Sequence, residues 1–221
     1  NGQRAAAKRG GIMIVMLDTS EDLRKCEAEI GYPVEHLFTP LTRFTNRHPD
    51  DHFAIDNGAF TRFDRKAFEA LLARERERRH KCRFVTVPDV VGSARRTLEV
   101  FDYWFPLLGG WPLALAVQNG QEHLPIPWEH IAAIFIGGDD DFKDGVHVRH
   151  IVKAAKAMGI WTHCGRVNAP ERFARMVEME VDSIDGSGIA RFTEMREQLG
   201  RLVDRNKGQH KLFERETAMA W

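Results

Sequence analysis

Val181-Asp182-Ser183-Ile184-Asp185-Gly186 is a short apolar run that ends on a carboxylate and is followed at once by glycine. The same grammar recurs upstream. Ile12–Leu17 ends at Asp18, His36–Thr39 is a weaker run, and His52–Ile55 ends on Asp56-Asn57-Gly58. Phe84–Val87 stops at Pro88-Asp89, and Leu113–Val117 stops at Gln118-Asn119-Gly120. Ala132–Ile136 stops at Gly137-Gly138-Asp139, and Ile160–Gly165 carries His163 and Cys164 near its end. Continuous apolar runs of this length suit strands buried on both faces of a parallel sheet.

Helical patterns separate most of these runs. One follows Thr19 or Ser20 as cap and ends near Gly31. Others span 63–79, 93–107 with Ser93 as cap, 146–158, 168–179 with Asn168 as cap and Pro170 in the first turn, and 189–203. Strands alternating with helices form parallel βαβ units, and eight of them predict an α/β fold, a compact (β/α)8 TIM-type barrel. The competing architecture is an open doubly wound sheet. No G-x-G-x-x-G follows the first strand, which removes the usual reason to prefer it. The predicted organisation is a flexible leader over 1–11, a single barrel over 12–203 and a polar C-terminal tail over 204–221.

Composition sets limits on function. The 221 residues are 43% hydrophobic and 29% charged, with Lys plus Arg and Asp plus Glu both 32. A zero formal net charge argues against a chain devoted to coating nucleic acid, so any basic face must be local. Cys26, Cys82 and Cys164 are far apart, which gives neither a disulfide framework nor a zinc motif and predicts a reduced, cytoplasmic setting. No run approaches the roughly 18 apolar residues of a membrane span. The charged stretch 74–80 reads either as a phosphate-gripping ridge or as a solvated helix end, and the interleaved acids favour the latter.

In a barrel, all strand C-termini converge on one rim, where such enzymes keep their active sites. Asp56, Asp89, Gln118, Gly137-Gly138, His163-Cys164 and Asp185 are therefore the candidate site. Two carboxylates across a glycosidic carbon can act as nucleophile and general acid/base. A third carboxylate can accept the N–H pair of a guanine-type ring, and glycines let a planar ring approach the backbone. His163 could be an acid/base, a metal ligand or a packing group. Asp139–Asp141 with Asp144 could hold a hard cation, but their spacing matches no calcium loop, and a solvated loop is the simpler expectation.

Several of these segments resemble the tRNA-guanine transglycosylases. Asp56-Asn57-Gly58-Ala59-Phe60 is similar to their D-S-G-G/A-F, and Val117-Gln118-Asn119-Gly120 to their V-Q-G-G. Phe135-Ile136-Gly137-Gly138 resembles their base-binding segment. Cys164-Gly165-Arg166-Val167 with Pro170-Glu171, running on to Asp185, resembles M-G-V-G-x-P-E…G-V-D-M-F-D. The likeness covers 53–186, and Phe142-Lys143 after the paired glycines points to the short phage-type members that act on DNA.

The resemblance implies Asp185 as nucleophile on C1′ and Asp56 as general acid/base. It implies Asp89, Gln118, Gly137 and Gly138 as purine contacts, Phe60 as a stacking or wall residue, and His163 and Cys164 beside the base. Its implied substrates are DNA, less readily tRNA, and a free 7-deazaguanine base. Its implied location is the cytoplasm, the host's if the chain is phage-encoded. A homodimer or a partner subunit is also compatible with it. The family's zinc subdomain has no counterpart after Asp185, because no cysteine follows Cys164. No structural zinc and no other cofactor is therefore expected. Arg43, Arg62, Arg166 and Arg191, near strand-end loops, are the expected phosphate contacts. A base-excising glycosylase, a non-catalytic nucleic-acid-binding barrel and an unrelated sugar enzyme remain the competing functions.

Overall fold

The computed structural model describes residues 12–45 and 47–201. The expected leader 1–11, the expected tail 204–221 and the last two residues of the expected barrel, 202 and 203, lie outside the described residues. Eight strands form a closed barrel in sequence order: β1 Ile14–Leu17, β2 Val34–Phe38, β3 Phe53–Ile55, β4 Cys82–Thr86, β5 Leu113–Val117, β6 Ala133–Ile136, β7 Trp161–Cys164 and β8 Ser183–Asp185. Every neighbouring pair is parallel, and β8 closes on β1 with Met16 opposite Asp185. The (β/α)8 expectation holds.

Strand alternation sorts the apolar residues into two shells. Met16, Leu37, Ala54, Phe84, Ala114 and Ala133 fill the barrel interior, with Ile14, Phe135 and Trp161 packed against them. The alternate positions, such as Val15, Phe38, Ile55, Val85, Leu115, Ile134 and Ile184, face outward. There they pack beneath helices α1 Leu23–Ile30, α2 Arg65–Glu75, α3 Ala94–Trp104, α5 Val146–Ala157 and α6 Pro170–Glu178. Two short helices, α4 Asp140–Asp144 and α7 Ser187–Arg191, sit on the strand-end loops after β6 and β8. Near the opposite end of the interior, Arg83 grips Glu35 with two nitrogens, at 3.0 and 2.7 Å, and lies over the Trp161 ring.

Local details correct several expectations. Asp22, not Thr19 or Ser20, caps α1 by accepting from the Arg24 N–H at 2.9 Å. Asn168 does not cap α6; its Oδ1 accepts from the Gly188 N–H and ties the β7 loop to the β8 loop. The last helix is interrupted at Phe192, which is extended, between α7 and the helical residues 193–201. Stretch 74–80 is more than a solvated end. Glu75 is fully buried and paired with Arg47, Arg74 and Arg78. A carboxylate can be buried there because three guanidinium groups surround it.

Candidate active site at the barrel mouth

Period-two alternation aims the strand-end acids inward. Ala54 faces the interior, so Asp56 two residues on faces it too; Ser183 and Asp185 follow the same parity. Asp185 is held on both oxygens. Its Oδ2 lies 2.9 Å from His163 Nε2, and its Oδ1 accepts the Arg166 N–H at 3.0 Å. The side chain keeps 14% exposure toward the mouth. Arg166 presents that N–H from a left-handed conformation at φ 60°, which a non-glycine residue adopts at a cost of about 1 kcal/mol.

Asp56 sits in a setting that favours its protonated form. Burial pushes its carboxyl up to about 7, and the charges of Asp185, Asp89 and Asp18 push the same way against the Gly58 N–H bond. That bond, 2.9 Å to Oδ1, needs Gly58 at φ 76°, packed on Pro40. The mouth therefore pairs an acid whose proton is retained near neutrality with Asp185, held on one oxygen by a backbone N–H and on the other by the His163 ring.

The remaining candidates separate into those that face the mouth and those that do not. Asp89 is held by Asn57 Nδ2 at 2.9 Å and Gln118 Nε2 at 3.4 Å; burial pushes its carboxyl upward and both bonds oppose that. Gln118 is buried and its amide is consumed by the protein. Its Oε1 accepts from Gly92 N–H, and its Nε2 reaches Thr97 Oγ1 at 2.7 Å and Val90 O at 3.0 Å. It braces the β4–α3 loop, contrary to the expected purine contact. Cys164 points outward into the barrel–helix layer, where burial pushes its thiol up to about 12, so it does not touch the mouth.

Gly137 continues the strand ladder to Val117 O at 2.9 Å. At Gly138, φ is 77° and a Cβ would lie 2.8 Å from both Asn119 Oδ1 and Phe142 Cδ1. Packing between the β5 and β6 loops is therefore sufficient reason for that glycine. Asp139 caps α4 and bonds Asn119 in both directions, while Asp140 and Asp144 pair with Arg172. Among the described residues, no three His, Cys, Asp or Glu side chains form a metal-binding group.

Two participants escaped the sequence reading. Asp18, just past the end of β1, is a fourth carboxylate at the rim, bonded by Thr42 Oγ1 at 2.8 Å and Thr39 Oγ1 at 3.3 Å. Burial pushes its carboxyl upward. Its strand-end position was the available signal. Lys143 in α4 is 2% exposed, and its Nζ donates to Gly165 O at 2.8 Å. The next N–H along, that of Arg166, is the donor to Asp185, so Lys143 polarises the peptide that holds the carboxylate. Burial holds the ammonium below its ordinary range, opposed by nearby Cys164 and Asp185.

Of the four arginines, Arg166 lies over the exposed Phe60 ring at 3.7 Å. Their loops follow β7 and β3, four strands apart in the ring of eight, so the contact crosses the mouth. Arg43 donates to Pro40 O at 2.9 Å, Arg62 is exposed on the loop after β3, and Arg191 is exposed at the end of α7.

No protein-family model matches the sequence, and no curated protein sequence does. Solved structures of similar shape do exist. A chain of the Amycolatopsis orientalis BexX/CysO complex is 12% identical, covering 89% of this chain and 90% of that one, with a TM-score of 0.52. Phosphoribosyl anthranilate isomerase from Thermus thermophilus is 13% identical over 88% of this chain and 99% of that one, with a TM-score of 0.44. The first likeness is one of fold alone, and the second carries no argument. Among the described residues, no helix is long and apolar enough to cross a membrane.

Proposed function

We propose that the protein is a base-exchange transglycosylase that replaces guanine in DNA with a 7-deazaguanine through a covalent Asp185–sugar intermediate. The observation that carries this is the split pair at the mouth: Asp56 raised to about 7, and Asp185 fixed by His163 and the Arg166 N–H.

In the first half-reaction an Asp185 oxygen attacks C1′ of a deoxyguanosine. The C1′–N9 bond breaks, its electron pair goes to N9, and Asp56 delivers the proton that the leaving base needs. In the second, Asp56 as carboxylate takes the N9 proton of the incoming deazaguanine. N9 then attacks C1′ and Asp185 departs as a free carboxylate. Asp89, half-buried beside Asp56, suits the N–H pair of the base edge. Phe60 and Arg166 part to admit a nucleotide taken out of the stack, and Arg43, Arg62 and Arg191 contact flanking phosphates.

Incubating the protein with guanine-containing DNA and isotopically labelled 7-deazaguanine tests this. Label should enter the DNA with release of one guanine per base incorporated. Guanine release without incorporation would mark a hydrolytic glycosylase instead, and neither event would remove the transglycosylase assignment. RNA in place of DNA decides the polymer.

A further inference from the structure

A line of hydrogen bonds runs through the barrel interior to Asp185. Trp161 Nε1–H donates to Ser183 Oγ at 2.8 Å, Ser183 Oγ lies 2.9 Å from His163 Nδ1, and His163 Nε2 lies 2.9 Å from Asp185 Oδ2. His163 and Ser183 are fully buried. The imidazole is further enclosed by the Phe84 and Phe135 rings, with centroids at 5.1 and 4.9 Å. Gly165 permits this closeness, since a Cβ there would meet Phe135 Cζ at 2.7 Å.

The donors and acceptors along this line can be assigned. An indole N–H only donates, so Ser183 Oγ is an acceptor toward Trp161 and its own hydrogen is free to point at His163. A buried hydroxyl hydrogen needs an acceptor, and Nδ1 is the acceptor in reach. Nδ1 therefore carries no hydrogen, the hydrogen of the neutral ring sits on Nε2, and Nε2–H donates to Asp185. Both ring nitrogens are then engaged by protein groups.

We propose that Trp161, Ser183 and His163 form a tautomer-fixing relay, making His163 a positioning residue for Asp185 and not the acid/base of the site. The tautomer assignment stands on the structure alone; its catalytic consequence rests on the transglycosylase reading. Fixing Oδ2 through a neutral N–H leaves the carboxylate anionic and oriented, with its remaining lone pairs aimed at the incoming sugar carbon. A histidine in the other tautomer would turn a lone pair toward Oδ2 and repel it.

Long-range 15N–1H NMR of the full chain with 15N-labelled histidine tests the relay, with His163 identified by the signal lost in His163→Gln. At pH 7.5 the expected pattern is Nε2 protonated and Nδ1 bare, and Ser183→Ala should shift the bare Nδ1 resonance downfield as its hydrogen-bond donor is lost. An Nδ1–H pattern in the unaltered protein, or an unmoved Nδ1 resonance in Ser183→Ala, would overturn the relay. In base exchange, Ser183→Ala should lower kcat at least ~10-fold with KM within about twofold. His163→Gln, which keeps an N–H in reach of Oδ2, should retain at least ~10-fold more exchange than His163→Ala. Equal loss in both histidine variants would favour proton transfer by His163 and overturn the positioning role. Absence of exchange in the unaltered protein would defeat the functional reading and leave the NMR result to judge the relay.

Discussion

The two ends of the barrel interior handle buried charge in opposite ways. Toward the strand N-termini, Glu35 is neutralised by a two-nitrogen grip from Arg83, itself lying over Trp161. At the mouth, the charges of Asp18, Asp89 and Asp185 raise the Asp56 carboxyl, and the partners of the four acids are hydroxyls, amides, backbone N–H groups and the His163 ring. The buried cation Lys143 acts on Asp185 through a peptide and not by a direct ion pair. A paired charge ties strands together and has little freedom to titrate; a cluster of like charges stores unfavourable energy that a substrate or a proton can relieve. The first arrangement suits stability, and the second suits chemistry.

That contrast can be broken from the mouth first. Asp56→Asn should lower base exchange by about 10³-fold, because it removes proton transfer in both half-reactions. In the unaltered protein the proposed first half-reaction should lose rate as pH rises through about 7, as Asp56 gives up its proton. Single-turnover release of guanine against pH reads both.

At the opposite end, Arg83→Met leaves Glu35 buried without its partner. Urea unfolding should then register a loss of about 3 kcal/mol, with kcat for exchange unchanged. A large kcat effect would mean that the two ends are coupled.

Stability against pH sharpens the comparison further. The folded carboxyl of Asp56 is raised above its unfolded value of 3.8 to about 7, so the folded state binds this proton more tightly. Its ionisation therefore destabilises the fold, with the penalty absent below about 4, growing between about 4 and 7, and complete above that window. Asp56→Asn should melt about 3–6 °C above the unaltered protein at pH 8, and the gap should close by pH 4. The smallest effect belongs to the Phe60–Arg166 contact across the mouth. Phe60→Ala should raise KM for DNA about 3–10-fold and leave the melting temperature within about 1 °C, since the ring is 60% exposed.

Much of this was legible before any coordinates. Eight apolar runs ending in polar or glycine residues gave the barrel and its rim, because a buried parallel strand must be apolar along its length and polar where it meets the mouth. Asp56 and Asp185 were legible for the same reason, and Asp18 met the same criterion without being counted. Parity also separates His163 from Cys164, since neighbouring strand residues face opposite sides. Gln118 was not legible. Its amide turns toward Thr97 because the β4–α3 loop offers it partners, a choice made by tertiary contacts. Lys143, set among aspartates, reads as a solvated lysine. Only the fold places Gly165 O above its ammonium.

The central claim is that Asp185 forms a bond to C1′. Intact-mass and peptide mass spectrometry, after acid quenching the protein with a short guanine-containing oligonucleotide and no free base, tests it directly. The account predicts a protein–oligonucleotide ester that maps to Asp185, disappears in Asp185→Asn and is discharged by added 7-deazaguanine. Base exchange proceeding in Asp185→Asn, or an adduct mapping to another residue, would contradict it.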